Sequence, residues 1–178
     1  MSVMLLGCSG QNKELERAMT FRAALLAGMG CRFQAVITAD YQDETYTFTL
    51  DCQSDEQGKV TFEVVEPETI SGISGVITAQ GGKLTFDHDQ MLAFETLADG
   101  QLAPVMAPWV MIKTLRGGYV RACCLEEECL RISVDDSYRD DALGLDIWFN
   151  ESDLPRYAEI LWSDRRILSM EVKGFEIL

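Results

Sequence analysis

The residues able to do chemistry are few and scattered. The only histidine, His88, stands in Asp87-His88-Asp89. Two carboxylates can orient an imidazole, but a general base needs a nucleophile within reach. The chain has no GxSxG, no HExxH, no Walker loop and no GxGxxG following a strand. Ser71-Gly72-Ile73-Ser74-Gly75 is rich in glycine yet lacks the lysine and the following helix of a phosphate loop, so it reads as a turn. His88 reads as an exposed turn residue, and the chain reads as a binding protein rather than an enzyme. Cys123, Cys124 and Cys129 lack the paired CxxC spacing of a zinc site. No metal and no cofactor is expected. Two hairpins could bring cysteines together: one turning at 41–44 places Cys31 nearly opposite Cys52, and one turning at 125–128 places Cys123 or Cys124 near Cys129. Cross-strand disulfides and free thiols acting as small apolar residues are both open.

The sixth cysteine has a different context. Leu5-Leu6-Gly7-Cys8, followed by Ser9-Gly10-Gln11-Asn12, resembles the lipobox of bacterial lipoproteins. The basic n-region and most of the apolar h-region of a signal peptide are missing from the pattern. The resemblance implies lipidation at Cys8. It also implies an extracytoplasmic protein tethered to a membrane by its lipid, with residues 1–11 as truncated signal and polar linker. Residues 12–178 then form one domain, a size that suits a single core. The formal net charge of −14 excludes nucleic acid as a partner, since phosphate binding wants clustered Lys and Arg. Purely electrostatic adhesion to an anionic membrane is excluded on the same ground. No stretch reaches the length of about twenty apolar residues that a spanning helix needs.

The elements available to position these residues are mostly strands. Residues 12–28 predict an amphipathic helix, with Leu15, Met19, Arg22 and Leu26 along one line and Ala18, Phe21 and Leu25 widening the apolar stripe. Glu14 and Glu16 are expected in its first turn. Clean alternation follows, as in Tyr46, Phe48, Leu50 and Cys52 against Thr45, Thr47, Thr49 and Asp51. Continued along the chain, including a strand at 91–96, this gives about eleven strands joined mostly by short turns, an antiparallel meander. Trp148 is out of phase with Ile147 and Phe149 and is expected on the outer face, where it marks a contact site. Residues 102–117, LAPVMAPWVMIKTLRG, interrupt the strands. They predict a helix starting at Pro104 or Pro108 and ending at Gly117-Gly118 in a left-handed cap. It is apolar nearly all round, so it should be enclosed. It is either plain core or a lid over an apolar cavity.

The order of elements resembles the LolA/LolB-type lipoprotein carrier fold. Phe33-Gln34-Ala35-Val36-Ile37 is similar to that family's opening strand, and Leu154-Pro155-Arg156-Tyr157-Ala158-Glu159-Ile160 with Trp162-Ser163-Asp164-Arg165-Arg166 is similar to its late hairpin. Asp164-Arg165 stands where the family has a glycine turn. The resemblance implies a mainly β (α+β) fold, a strongly curved antiparallel half-barrel whose concave face is covered by the N-terminal and mid-chain helices. It implies a non-catalytic, membrane-tethered protein that binds a lipid acyl chain or other hydrophobic ligand between sheet and helix. Trp109, Met106, Val110 and Met111 on the helix, with Phe48, Phe62, Phe86 and Phe94 on the sheet, would line the site. The alternative is a filled core and a surface that binds a cell-envelope protein partner.

Overall fold

The computed structural model describes residues 9–40, 44–79, 81–85, 102–139 and 142–178. Among them are ten strands in one antiparallel sheet. The order of elements is α1 (Ser9–Ala27), β1 (Gly30–Asp40), β2 (Thr45–Asp55), β3 (Val60–Glu66), β4 (Ser74–Thr78), β5 (Gly81–Thr85), α2 (Ala107–Gly117), β6 (Tyr119–Glu126), β7 (Cys129–Asp135), β8 (Gly144–Phe149), β9 (Pro155–Trp162) and β10 (Arg165–Ile177). The described residues hold ten strands against the expected count of about eleven, and the predicted strand at 91–96 lies outside the described residues. The spatial order β5-β4-β3-β2-β1-β10-β9-β8-β7-β6 is two five-strand meanders joined where β1 pairs with β10. Every other neighbour is adjacent in sequence, as short hairpin turns require. The open sheet with its two helices is consistent with a curved half-barrel.

Strand alternation sets which side chains go inward. Phe33, Ala35, Ile37 and Ala39 of β1 are buried, as are Phe48, Leu50 and Cys52 of β2 and Val60, Phe62 and Val64 of β3. Phe33 stacks on Phe175 with ring centroids 5.4 Å apart, and Phe175 lies 5.9 Å from Phe21 of α1. Phe21 also meets Phe149 edge to face at 5.0 Å. Aromatic pairs at such spacings add to their area burial. They join α1 to both meanders at the centre of the sheet.

The first helix corrects three expectations. It begins at Ser9 and not at residue 12, so Glu14 and Glu16 lie beyond its first turn, and the expected linker after Cys8 is already helix. Its buried face is Ala18, Phe21 and Leu25. The predicted line Leu15, Met19 and Leu26 is 41%, 44% and 49% exposed. Residues 18, 21 and 25 are spaced i, i+3, i+7 and share a face; the other line is equally periodic but lies well round the helix. Hydrophobic periodicity alone could not choose between two apolar stripes on one helix.

Both ends of the central segment are short on side-chain caps. A 3₁₀ turn, Pro104–Met106, leads directly into α2, and Pro108 sits in the first helical turn, where its missing N–H costs nothing. Gly118 closes the helix by donating its N–H to Thr114 O at 2.8 Å. Its φ is −74°, so the expected left-handed cap is not formed. Glycine is needed there for space instead: an added Cβ would lie 2.7 Å from the carbonyl oxygens of Asp135 and Thr114.

Adjacent leucines on α1 therefore separate the two stripes in an experiment. Leu25→Ala should lower the unfolding free energy by about 2–5 kcal/mol. Leu26→Ala should change it by less than about 0.5 kcal/mol. Urea titration of both variants checks this, and the reverse order would mean that α1 is rotated on the sheet.

Candidate functional site

Helix α2 buries Ala107, Pro108, Val110, Met111, Ile112, Thr114 and Leu115. Met106 and Trp109 are half-buried and pack against the same core. Of the predicted site residues, Val110, Met111, Phe48 and Phe62 are thus integral to the packed interior. Met106 and Trp109 stand at its margin. Phe86 and Phe94, together with His88 and the lipidation candidate Cys8, lie outside the described residues.

Trp109 borders an open cleft of about 420 Å³, formed between α2 and two turns of the N-terminal meander. Gln57, Gly58 and Lys59 line it from the β2–β3 turn, Thr78 and Ala79 from the end of β4, and Lys113, Arg116 and Gly117 from α2. Asp55 builds the turn: its carboxylate accepts the N–H of Gln57 at 2.9 Å and of Lys59 at 3.0 Å. Those backbone bonds hold the Asp55 carboxyl below its usual range against the opposing effect of burial. Gly58 has φ +80°, and a Cβ there would touch the Arg116 side chain at 3.4 Å. Lys113 Nζ sits 5.3 Å from the Trp109 ring centre and 3.2 Å from Asp136 Oδ2. The ammonium over the indole is a cation–π contact.

Arg116 spans the back of the cleft. It donates to Glu56 O at 2.6 Å and to Leu25 O at 3.1 Å. From α1, Arg22 donates to Leu115 O at 2.7 Å and Gly118 O at 3.0 Å. Burial draws the Arg22 guanidinium below its usual range. Lys59, Lys113 and Arg116 were not among the expected site residues. The signal was present, since Lys113 and Arg116 are an i, i+3 pair on the least polar helix of an acidic chain.

The cysteines take a different register from the expected one. Cys31 lies opposite Ser54 and Cys52 opposite Phe33. The Cys31 thiol meets Ser54 Oγ at 3.1 Å. In the later hairpin, Cys129 pairs with Glu126, Cys124 with Arg131 and Cys123 with Ile132. The reason is a two-residue turn in which Glu127 and Glu128 both have positive φ, 49° and 66°. All five described cysteines are free thiols. Among the described residues, no three His, Cys, Asp or Glu side chains are grouped to hold a metal ion.

Trp148 is half-buried and carries contacts of its own. Its ring lies 5.0 Å from the Arg131 guanidinium and 5.4 Å from Tyr157. Arg131 in turn bonds Asp146 at 2.6 Å, and Ser133 bonds the same carboxylate at 2.5 Å. The expected exposed contact aromatic is thus one rung of a packed outer ladder.

No protein-family model matches the chain, and no curated protein matches it. Its architecture is similar to that of solved LolA-superfamily structures. A LolA superfamily protein from Nitrosomonas europaea is 9% identical, with 96% of this chain and 94% of that chain covered at a TM-score of 0.46. A putative outer membrane lipoprotein-sorting protein domain from Vibrio parahaemolyticus is 11% identical, with 94% and 93% covered at 0.40. MucB in the Pseudomonas aeruginosa MucA/MucB complex is 13% identical at 0.42, and this chain covers 56% of its length. At these TM-scores the likeness is one of element order, and what the chain binds has to be read from its own side chains.

Burial raises the thiol pKa of both Cys31 and Cys52. A raised folded-state value means that the folded chain holds protons the unfolded chain releases above its thiol pKa of about 8.5. Stability should be flat with pH just below that value and fall as pH climbs above it. Each thiol contributes up to about 1.4 kcal/mol per pH unit. Urea midpoints from pH 7.5 to 10 check this, and a Cys31→Ala/Cys52→Ala variant should show a shallower fall.

Proposed function

We propose that this protein is a non-catalytic, extracytoplasmic binding protein that holds one apolar chain between the sheet and α2, entering at the cleft beside Trp109. The proposal includes the tether: a lipid on Cys8, one residue before α1, keeps the protein at a membrane surface. The observation that carries the reading is the position of Trp109. It is half-buried at the margin of the core and faces a cleft within the size range of small-ligand sites, about 300–1,000 Å³. Behind it, Met106 and Met111 are unbranched and adaptable. A small displacement of α2 would let an acyl chain replace contacts that the methionines now make. Apolar burial stabilises by roughly 25 cal/mol per Å² and needs no directional partner, so one site would accept several chains of similar bulk.

A second reading is favoured by a separate observation. Leu15, Met19 and Leu26 form an outward apolar row on α1. Such a row suits contact with a partner protein of the cell envelope, with the core remaining filled.

Calorimetric titration with dodecanol, an uncharged chain, tests the first reading. One saturable site is expected, with affinity reduced about tenfold or more in Trp109→Ala, the equivalent of 1.4 kcal/mol. Absence of saturable binding, or binding indifferent to Trp109, would leave the partner-protein reading as the better one.

A further inference from the structure

The cleft has an electrostatic character that the apolar-chain reading alone does not require. The chain as a whole carries 29 acidic and 15 basic residues. Among the described residues that line the cleft, Lys59, Lys113 and Arg116 are cationic and none is acidic. Three other clefts among the described residues each include acidic side chains. The one between Arg32 and Lys173 also holds Asp51 and Glu63. The one beside Thr47 holds Glu66 and Glu68, and the one beside Arg121 holds Asp135 and Asp164.

We propose that the cleft beside Trp109 takes a single-chain amphiphile with an anionic head, a carboxylate or phosphate, the head held by Lys59, Lys113 and Arg116 and the chain starting along Trp109. This rests on the apolar-chain reading above and specifies its ligand. The three cations differ in how they are held, and the difference fits the role. Arg116 is fixed by two carbonyl oxygens, Glu56 O and Leu25 O, which orient the guanidinium without neutralising it. A fixed planar fork is well matched to carboxylate and phosphate oxygens. Lys59 and Lys113 are each paired with one carboxylate at the rim, Asp55 at 3.4 Å and Asp136 at 3.2 Å. Their side chains are 47% and 44% exposed. The Lys59–Asp55 pair is exposed at both ends and worth little, so Lys59 can turn to a ligand at small cost; the Asp136 side chain is only 16% exposed and also accepts the Leu143 N–H, so Lys113 meets a ligand while keeping its pair. Lys113 over the Trp109 ring places a positive charge next to the apolar surface, the juxtaposition an amphiphile's head-to-chain junction needs. In a chain of net charge −14, three cations gathered on the described lining of one cleft also favour an anion at that spot.

Calorimetry with dodecanoate, dodecyl phosphate, dodecanol and inorganic phosphate on the full chain and on a Lys59→Gln/Lys113→Gln variant tests this. Both substitutions are at exposed ends of side chains, and an unchanged urea midpoint verifies the fold. Dodecanoate or dodecyl phosphate should bind about tenfold or more tightly than dodecanol at low salt. The preference should shrink to about threefold or less in the variant and at high salt, as screening demands. Displacement of dodecanoate by millimolar inorganic phosphate would support a head site that recognises the anion itself. Equal binding of dodecanoate and dodecanol, or a preference untouched in the variant, would overturn the anionic head while leaving the apolar-chain reading intact. Failure of all three chains to bind would overturn both.

Discussion

Two helices meet at their C-terminal ends, and the arrangement of the covering layer depends on how that meeting is made tolerable. The last turn of any helix leaves carbonyl oxygens without partners and carries the negative end of the helix dipole. Bringing two such ends together over an apolar sheet would bury acceptors beside like partial charges. The chain answers with an exchange of arginines. Arg22 of α1 reaches Leu115 O and Gly118 O at the end of α2, and Arg116 of α2 reaches Leu25 O near the end of α1. A guanidinium offers five donors and stays charged when partly desolvated. Each helix thus donates a guanidinium to carbonyls at the end of the other.

The same exchange places the cleft. Arg116 spends its other donor on Glu56 O, so the β2–β3 turn is tied to the helix junction. Gly58, with its positive φ, lets that turn approach the Arg116 side chain. Lys59 and Gln57 then face Trp109 and Lys113 across the gap. Toward its N-terminal end α2 is held differently. Pro104, Val105, Ala107 and Val110 contribute apolar contact, which is not directional. One end of α2 is therefore registered by hydrogen bonds and the other by packing that can shift. Under the proposed function that asymmetry gives the helix somewhere to pivot and something to yield.

Much of the sheet was legible in the sequence because alternation with a period of two is hard to imitate. Phe33, Phe48, Phe62 and Phe149 all go inward as their strands' apolar phase dictates. The first hairpin's register was off by two residues, with Cys31 opposite Ser54 and not Cys52. A slip of two keeps every side chain on its own face, which is why the core assignment survived the error and the disulfide expectation did not. The helices were less legible. In α1, residues 18, 21 and 25 and residues 15, 19 and 26 are both apolar and both periodic, so the choice was made by tertiary contacts of Phe21 that no local pattern records. At Gly118 the sequence pointed to glycine but not to its reason, because closeness to Asp135 O is a property of a strand distant in the chain.

The apolar residues of α2 could not by themselves separate lid from core. Met111 and Val110 are buried either way, and the hydrophobic effect rewards burial without regard to purpose. What distinguishes the two cases is polar. A helix serving only as core has no use for Lys113 beside a half-buried tryptophan, nor for an arginine whose charge no carboxylate among its bonded partners offsets. Helix cohesion explains Arg116, since it caps Leu25 O. It does not explain why Lys113, which pairs with Asp136, also lies over the Trp109 ring. Nor does it explain why, among the described residues, no acidic side chain lines this cleft when acids outnumber bases by 29 to 15 in the chain. The residues that break the apolar pattern, rather than those that make it, are where this fold is informative about binding.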